Sequence, residues 1–279
     1  MIIKILNKFC SNKSILSFII KKILNKLSFL KSSVQVQLNI SDRPNYAYCL
    51  FHAAKLAKKL NYKGFSVIEF GIAGGNGLYF IENFANKISK ELDINIEVYG
   101  FTLEKGLSAP DGYKDLPYWF AQGYFSTDKK KLFKKIKKST IIFGDVKETT
   151  KDFFKKYNPA PLGVVFNDLD YFSSTLNSFN IFYSETKNYL PRIFCYFDDI
   201  VGTENEMYGQ FTGELAAINE FNKINENKKI FLNQNLVCQS NEVWRYQIYY
   251  YHNFIHEKYN YFIGEEEQFI GNQALTLKE

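Results

Sequence analysis

A short apolar run, Ser66 to Phe70, breaks into Glu69-Phe70-Gly71-Ile72-Ala73-Gly74-Gly75-Asn76-Gly77. An amphipathic stretch from Gly77 to Leu92 follows, and then a second apolar run, Ile96 to Phe101. Strand, glycine-rich reversal, helix and strand in that order make a βαβ unit, which requires the two strands to lie parallel in one sheet. The alternation persists along the chain. Helical periodicity marks Tyr46 to Leu60, Asp128 to Lys138, Thr149 to Tyr157, Ser173 to Tyr189 and Gly213 to Asn222, while Thr140 to Phe143, Leu162 to Phe166 and Arg192 to Phe197 read as strands. Five such strands separated by helices predict an α/β fold, a Rossmann-like, doubly wound, mostly parallel sheet with helices on both faces. β-rich runs at Phe231 to Leu236 and Trp244 to Tyr251 are expected to close it as a C-terminal antiparallel hairpin. No internal repeat and no Gly/Pro/Ser-rich linker interrupts the pattern, so residues 41–279 are read as one domain behind an extension over residues 1–40.

Composition narrows the functional classes. Of the 279 residues, 46% are hydrophobic and 23% charged, which excludes global disorder and a disulfide-dense scaffold. The formal charge of +6 is unevenly placed. Lys4, Lys8, Lys13, Lys21, Lys22, Lys26 and Lys31 all precede Ser33 without an acid among them, and the remainder is nearly neutral. A nucleic-acid surface needs basic residues spread over one face, so no nucleic-acid partner is expected. The second Lys-rich run, Lys129 to Lys138, carries Leu132, Phe133 and Ile136 on one side and reads as a solvated helix face. Cys10, Cys49, Cys195 and Cys238 show no CxxC spacing, which suits reduced thiols and a cytoplasmic protein.

The extension itself repeats Leu16, Ile20, Ile23, Leu27 and Leu30 at helical spacing. Its apolar runs fall short of the ~20 residues a membrane span takes, and no signal-peptide cleavage pattern follows them. Two readings of residues 1–30 stay open: a basic amphipathic helix lying on the inner face of a membrane, or a helix docked on its own domain or on a second copy in a homo-oligomer.

The chemistry should sit at the carboxyl ends of the strands, where open α/β sheets bind their ligands. The glycine turn lets the backbone approach a ligand closely and points a helix N-terminus at it, yet lacks both the dinucleotide register and the Gly-Lys-Ser/Thr of a phosphate loop. Asp168 and Asp170 follow one buried strand, and Asp198 and Asp199 follow another, so four carboxylates share one edge. They repel unless protonated, hydrogen-bonded or bridged by a cation. A hard divalent ion such as Mg²⁺ prefers such oxygens, with Asp198, Asp199 and one of Asp168 or Asp170 as the expected ligands. His52, His252 and His256 are weaker candidates for a base.

The spacing E-x-G-x-x-G-x-x-G resembles motif I of class I S-adenosylmethionine-dependent methyltransferases. Five further motifs appear in order: Tyr99-Gly100-Phe101-Thr102-Leu103-Glu104, Pro110-Asp111-Gly112-Tyr113-Lys114-Asp115-Leu116-Pro117-Tyr118-Trp119, Gly144-Asp145-Val146, Asn167-Asp168-Leu169-Asp170-Tyr171, and Phe197-Asp198-Asp199. Together they resemble the macrocin O-methyltransferase (TylF-like) family over about Ser66 to Asn222. That resemblance implies S-adenosylmethionine bound by Glu69, Gly71, Ala73, Gly74, Gly75 and Gly77, with Asp145 near the adenine and Asp168 beside the cofactor. It also implies a divalent metal among Asp168, Asp170, Asp198 and Asp199, which are then the catalytic residues. Trp119 and Tyr171 are expected at the substrate, a sugar-containing small molecule or glycan precursor methylated on a hydroxyl in surface-glycan or glycosylated natural-product biosynthesis. Where the family usually places an Asp for the ribose hydroxyls this chain has Thr102; Glu104, two residues on, is the alternative carboxylate. The departure also sets up a second expectation, a cofactor-weakened or noncatalytic relative that binds a partner in a glycan pathway.

Overall fold

The structure is a computed structural model that describes residues 21, 23, 24, 30–265 and 268; most of the amphipathic stretch at residues 1–30 lies outside them. The described chain begins with α1 (Ser32–Gln37) and α2 (Pro44–Lys59). It continues through β1 (Gly64–Phe70), α3 (Asn76–Leu92), β2 (Asn95–Thr102), α4 (Lys129–Lys135), β3 (Thr140–Phe143), α5 (Val146–Thr149), α6 (Phe153–Tyr157) and β4 (Leu162–Asn167). After α7 (Phe172–Ser178) come β5 (Tyr189–Phe197), α8 (Gly213–Ile224), β6 (Lys228–Leu232), α9 (Gln234–Val237) and β7 (Ile248–Asn253).

The seven strands form one sheet in the order β3-β2-β1-β4-β5-β7-β6. β1 to β5 are parallel, while β7 runs antiparallel between β5 and β6, as the expected C-terminal pair does. The chain winds outward from β1 through β2 to β3, then returns to build β4 and β5 on the other side of β1. The switch in direction falls between β1 and β4, and there the glycine turn and the first aspartates emerge.

Period-two alternation sends Ile68 and Phe70 of β1 to one face of the sheet and Phe65 and Val67 to the other. On the second face, Ala47, Ala53, Ala54 and Ala57 keep α2 small enough to lie close on the strands, and Ile81, Phe84 and Ile88 of α3 fill beside it. On the first face, the rings of Phe179, Phe182 and Phe221 pack on one another, and Phe153 packs on Tyr99 and Phe101. Cys49 and Cys195 are free and buried, and Cys238 is free and exposed. Leu38 and Ile40 are buried against Leu24, Leu30 and Val34, and Ser32 hydrogen-bonds through both its N–H and its hydroxyl to Glu91, so the residues preceding α2 are fastened to α3. No helix among the described residues is long and apolar enough to cross a membrane.

Several boundaries differ from the periodicity. The helix expected over Ser173 to Tyr189 stops at Ser178 and continues as 3-10 turns at Phe179–Tyr183 and Thr186–Asn188. Phe179, Ile181 and Phe182 all enter the core, and residues two apart on an α-helix point in nearly opposite directions, so the tighter turn is what buries them together. In place of one helix expected over Thr149 to Tyr157 there are two short ones, α5 (Val146–Thr149), which the Asp145 side chain caps by accepting from Lys147 N at 2.8 Å, and α6 (Phe153–Tyr157). The β-rich run to Leu236 ends at Leu232, since Asn233 caps the short α9.

Glu82 on α3 holds the approach to β3. Its carboxylate accepts from the backbone N–H groups of Lys137, Lys138 and Ser139 and from the Ser139 hydroxyl. Burial acts to raise its pKa, but these donors outweigh that and hold it below the ordinary carboxylate range. A depressed folded-state pKa adds stability above the unfolded value, and that stability is lost as pH falls through the folded one. Glu82→Ala is therefore expected to lower the unfolding free energy by about 1–3 kcal/mol at neutral pH, the scale of hydrogen bonds to a charged group. Urea melts should show the gap between variant and parent closing as pH falls below the ordinary carboxylate range, where the carboxyl protonates.

Candidate active site

The parallel ladder runs one residue past the strand ends. Asp168 N donates to Phe70 O at 3.1 Å and Asp198 N to Asn167 O at 3.0 Å, so the first residues beyond β1, β4 and β5 are fixed side by side. Gly71 has φ +84°, and a Cβ there would lie 1.7 Å from the Asp168 carbonyl oxygen. Gly71 thus allows two strand ends to meet, as well as lining the cavity they frame.

Asp168, Asp198 and Asp199 each present an oxygen within 4.8 Å of the others. Asp199 is held on three sides. Its Oδ2 accepts from Asp170 N at 2.9 Å, its Oδ1 from the Tyr208 hydroxyl at 3.0 Å, and its own N–H donates to Glu214 Oε2 at 2.9 Å. Tyr196 donates its hydroxyl to Asp198 Oδ1, and Gln247 Nε2 donates to the Asp198 carbonyl at 2.8 Å. Asp170 takes a left-handed backbone, φ +60°, which Asp tolerates better than most residues. It lines the cavity without joining the close trio.

These carboxyls face one another with little compensation. Burial, followed by the charges of Asp199, Asp198, Asp170 and Glu69, pushes Asp168 well above the carboxylate range. Burial and then Asp199 push Asp170 up to about 8, and burial with Asp198 takes Asp199 to about 7. Glu214, wholly buried, is likewise raised by burial first and Asp199 second. No lysine or arginine is among the described residues lining the cavity, whose volume is about 490 Å³.

The cavity extends from the aspartates across the ends of β1, β2 and β3, past Gly71, Ala73, Thr102, Gly144 and Asp145. Ala73 carries a positive φ of 39°, backbone strain located where the turn meets the cavity. Thr127 donates to the Ala73 carbonyl at 3.2 Å and lies 2.9 Å from the Thr102 hydroxyl. With the Thr127 proton so used, Thr102 is the donor of that pair, and its oxygen keeps acceptor capacity toward the cavity.

Other expected residues stand apart from this space. Glu69 is buried behind the turn, not among the lining residues; Tyr46 donates to its Oε1 at 2.8 Å, its Oε2 has no partner, and burial raises it to about 7. Gly77 leaves room for it, since a Cβ there would lie 1.9 Å from Glu69 Oε1. Gly75 seats Leu132 of α4, and Gly74 has open space beside it. Glu104 is ion-paired with Lys129 at 2.5 Å and, like Gly74, Gly75 and Gly77, does not line the cavity. Trp119 does line it and is 40% exposed, whereas Tyr171 is wholly buried beneath, donating to Ser108 O at 3.2 Å and packing on Leu116 and Phe120. None of the histidines lines the cavity: His52 lies among the rings of Tyr48, Phe51 and Phe194, His252 meets the Tyr259 hydroxyl, and His256 meets the Tyr189 carbonyl.

Four contributors were not singled out from the sequence. Asp115 accepts from Ser173 N, the Ser173 hydroxyl and Asp111 N, tying the Trp119 loop to the start of α7. Its place inside a quoted motif was the available signal. Thr127, Tyr208 and Glu214 come from segments with no strand-end or glycine pattern to mark them.

This architecture is that of methyltransferases of known structure. CalS11, a calicheamicin methyltransferase, matches with a TM-score of 0.50 and 16% identity over 86% of this chain and 94% of that chain. The O-methyltransferase NovP matches with a TM-score of 0.50 and 11% identity over 90% of this chain and 98% of that chain. At such identities the likeness establishes the fold. No protein-family model and no curated protein sequence matches the chain.

The raised carboxyls make a prediction about stability. A carboxyl whose folded pKa lies above its unfolded value stabilises the protein fully below the unfolded pKa, and that contribution is lost as pH rises through the folded one. In the absence of divalent ions, the thermal midpoint should fall as pH rises from about 5 to about 8.5, the span over which Asp170, Asp199 and Glu69 ionise. Asp170→Asn should flatten that slope. A midpoint that climbs over the same range would contradict the electrostatic description.

Proposed function

We propose that this protein is an S-adenosylmethionine-dependent, divalent-cation-assisted O-methyltransferase acting on a sugar hydroxyl, in the manner of the macrocin O-methyltransferase family that its motifs resemble. The observation that carries the reading is the meeting of Asp168, Asp198 and Asp199 at one end of a cavity whose other end is built from the glycine turn and the ends of β2 and β3. The donor set fits a hard cation: three carboxylates, proton affinities raised at Asp168 and Asp199, and no basic side chain in the lining. The other end fits a nucleoside-sized ligand, with Ala73 strained toward it, Thr102 keeping an acceptor and Asp145 at its rim. Similarity in fold to CalS11 and NovP is compatible with this chemistry without establishing it.

In this reading S-adenosylmethionine supplies an electrophilic methyl group, and a divalent cation supplies Lewis acidity where the acceptor hydroxyl binds. Asp168, Asp198 and Asp199 would hold the cation at the end of the cavity where the acceptor binds. Asp170, on the same cavity but outside the trio, would take the proton the hydroxyl gives up once a bound cation offsets the neighbouring charges that otherwise keep it protonated. Trp119 offers an apolar face on which a sugar ring can stack and from which water is excluded. Thr102, through one neutral oxygen, receives the ribose less strongly than a carboxylate would, charge-assisted hydrogen bonds being about twice as strong as neutral ones.

Two outcomes follow. Asp199→Asn should cut methyl transfer to the preferred acceptor by about 100-fold or more while cofactor affinity stays within a few fold, ligand loss being at least as costly as loss of a ligand's support. Screening nucleotide sugars and extracted glycans with labelled cofactor finds the acceptor, and full activity in excess chelator would refute the cation's part. Thr102→Asp should tighten cofactor binding by about 1 kcal/mol or more in calorimetry, whereas Glu104→Gln should leave it unchanged, because Glu104 is engaged by Lys129.

A further inference from the structure

Asp199 is reached by two residues from the segment that follows β5, and neither belongs to the ligand trio. Glu214 stands at the start of α8, wholly buried, and its Oε2 accepts from Asp199 N at 2.9 Å. Its other oxygen lies 3.5 Å from the Thr175 hydroxyl of α7. One carboxyl therefore joins α7, α8 and the end of β5. Tyr208 lines the cavity and donates its hydroxyl to Asp199 Oδ1 at 3.0 Å, while the neighbouring Glu206 carbonyl accepts from the Tyr118 hydroxyl at 2.7 Å. Gly213 links the two residues with a backbone φ of +56°, which lets the chain turn into α8 directly beside Tyr208 and the Asp170 carbonyl.

Asp198 and Asp199 are adjacent in sequence. In an extended strand their side chains would point to opposite faces of the sheet. For both to offer an oxygen to one point, the backbone at Asp199 must leave the strand direction and be held there. The bond from Asp199 N to Glu214 fixes the main chain, and the bonds from Asp170 N and Tyr208 fix the carboxylate. Each Asp199 oxygen then has one lone pair engaged and one left over.

We propose that Glu214 and Tyr208 are positioning residues that hold Asp199 in its cation-binding orientation, Glu214 through the Asp199 N–H and Tyr208 through its carboxylate. This rests on the reading of Asp168, Asp198 and Asp199 as a divalent-cation site. Residues that orient metal ligands typically change affinity by 10- to 100-fold when removed, without touching the ion.

The test is calorimetric titration of the cofactor-free full-length protein with Mn²⁺, alongside titration with S-adenosylhomocysteine. Tyr208→Phe and Glu214→Leu are each expected to weaken Mn²⁺ binding about tenfold or more, with S-adenosylhomocysteine affinity within about twofold of the parent. Glu214→Gln keeps an acceptor for the Asp199 N–H and is expected to stay within about threefold of the parent, which a role through charge alone would not allow. Parent-like Mn²⁺ affinity in Tyr208→Phe together with Glu214→Leu, or loss in Glu214→Gln equal to that in Glu214→Leu, overturns the proposal. If Glu214→Leu does not fold, Tyr208→Phe and Glu214→Gln decide it. Absence of Mn²⁺ binding in the parent protein would overturn the cation reading itself, a result distinct from parent-like binding in the variants.

Discussion

The backbone hydrogen bonds that carry the ladder between β1, β4 and β5 one residue beyond their last paired positions govern most of what this protein can do. They place Asp168 beside the glycine turn and Asp198 beside Asp168 whatever the side chains prefer. The close approach at Gly71 is part of the same constraint, because any Cβ there would drive the strand ends apart. With the backbones fixed next to one another, the bonds from Asp170 N, Tyr208 and Tyr196 keep the carboxylates of Asp199 and Asp198 in place.

The resulting electrostatic cost is stored in the site. Asp168, Asp170, Asp199 and Glu214 crowd together without a basic side chain on the cavity wall, and each is pushed toward its neutral form. Such a cluster contributes little to folding at neutral pH and much to capturing a positive charge. Bonds from Asp170 N, Tyr208 and Tyr196 orient the carboxylates without discharging them. Around this centre the apolar layers are conventional: alanine-rich α2 on one face, packed aromatic rings on the other.

Strand-end chemistry was legible in the sequence because apolar runs and the residues that terminate them are contiguous. Asp168, Asp170, Asp198 and Asp199 could be placed on one edge from the order of strands, with the choice between Asp168 and Asp170 left open, and the glycine turn identified the first βαβ unit. What could not be read was anything brought in from afar. Glu214 looks like an ordinary acid in the first turn of a helix, and Tyr208 like one more aromatic in a chain that is 18% aromatic. Side-chain caps moved boundaries that periodicity placed elsewhere, as at Asp145 and Asn233. Glu69 shows a further gap: the family resemblance placed it with glycines expected at the cofactor, while burial sets it behind the turn against Tyr46.

The proposed function assigns the cavity beyond β1 to β5 to S-adenosylmethionine, with Thr102 where the resembled family places a ribose-binding carboxylate. Calorimetric titration of the full-length protein with S-adenosylmethionine tests it most directly. Saturable binding at one site per chain, competed by S-adenosylhomocysteine, is the expected result. No heat of binding at millimolar cofactor, in protein shown to be folded, would contradict it.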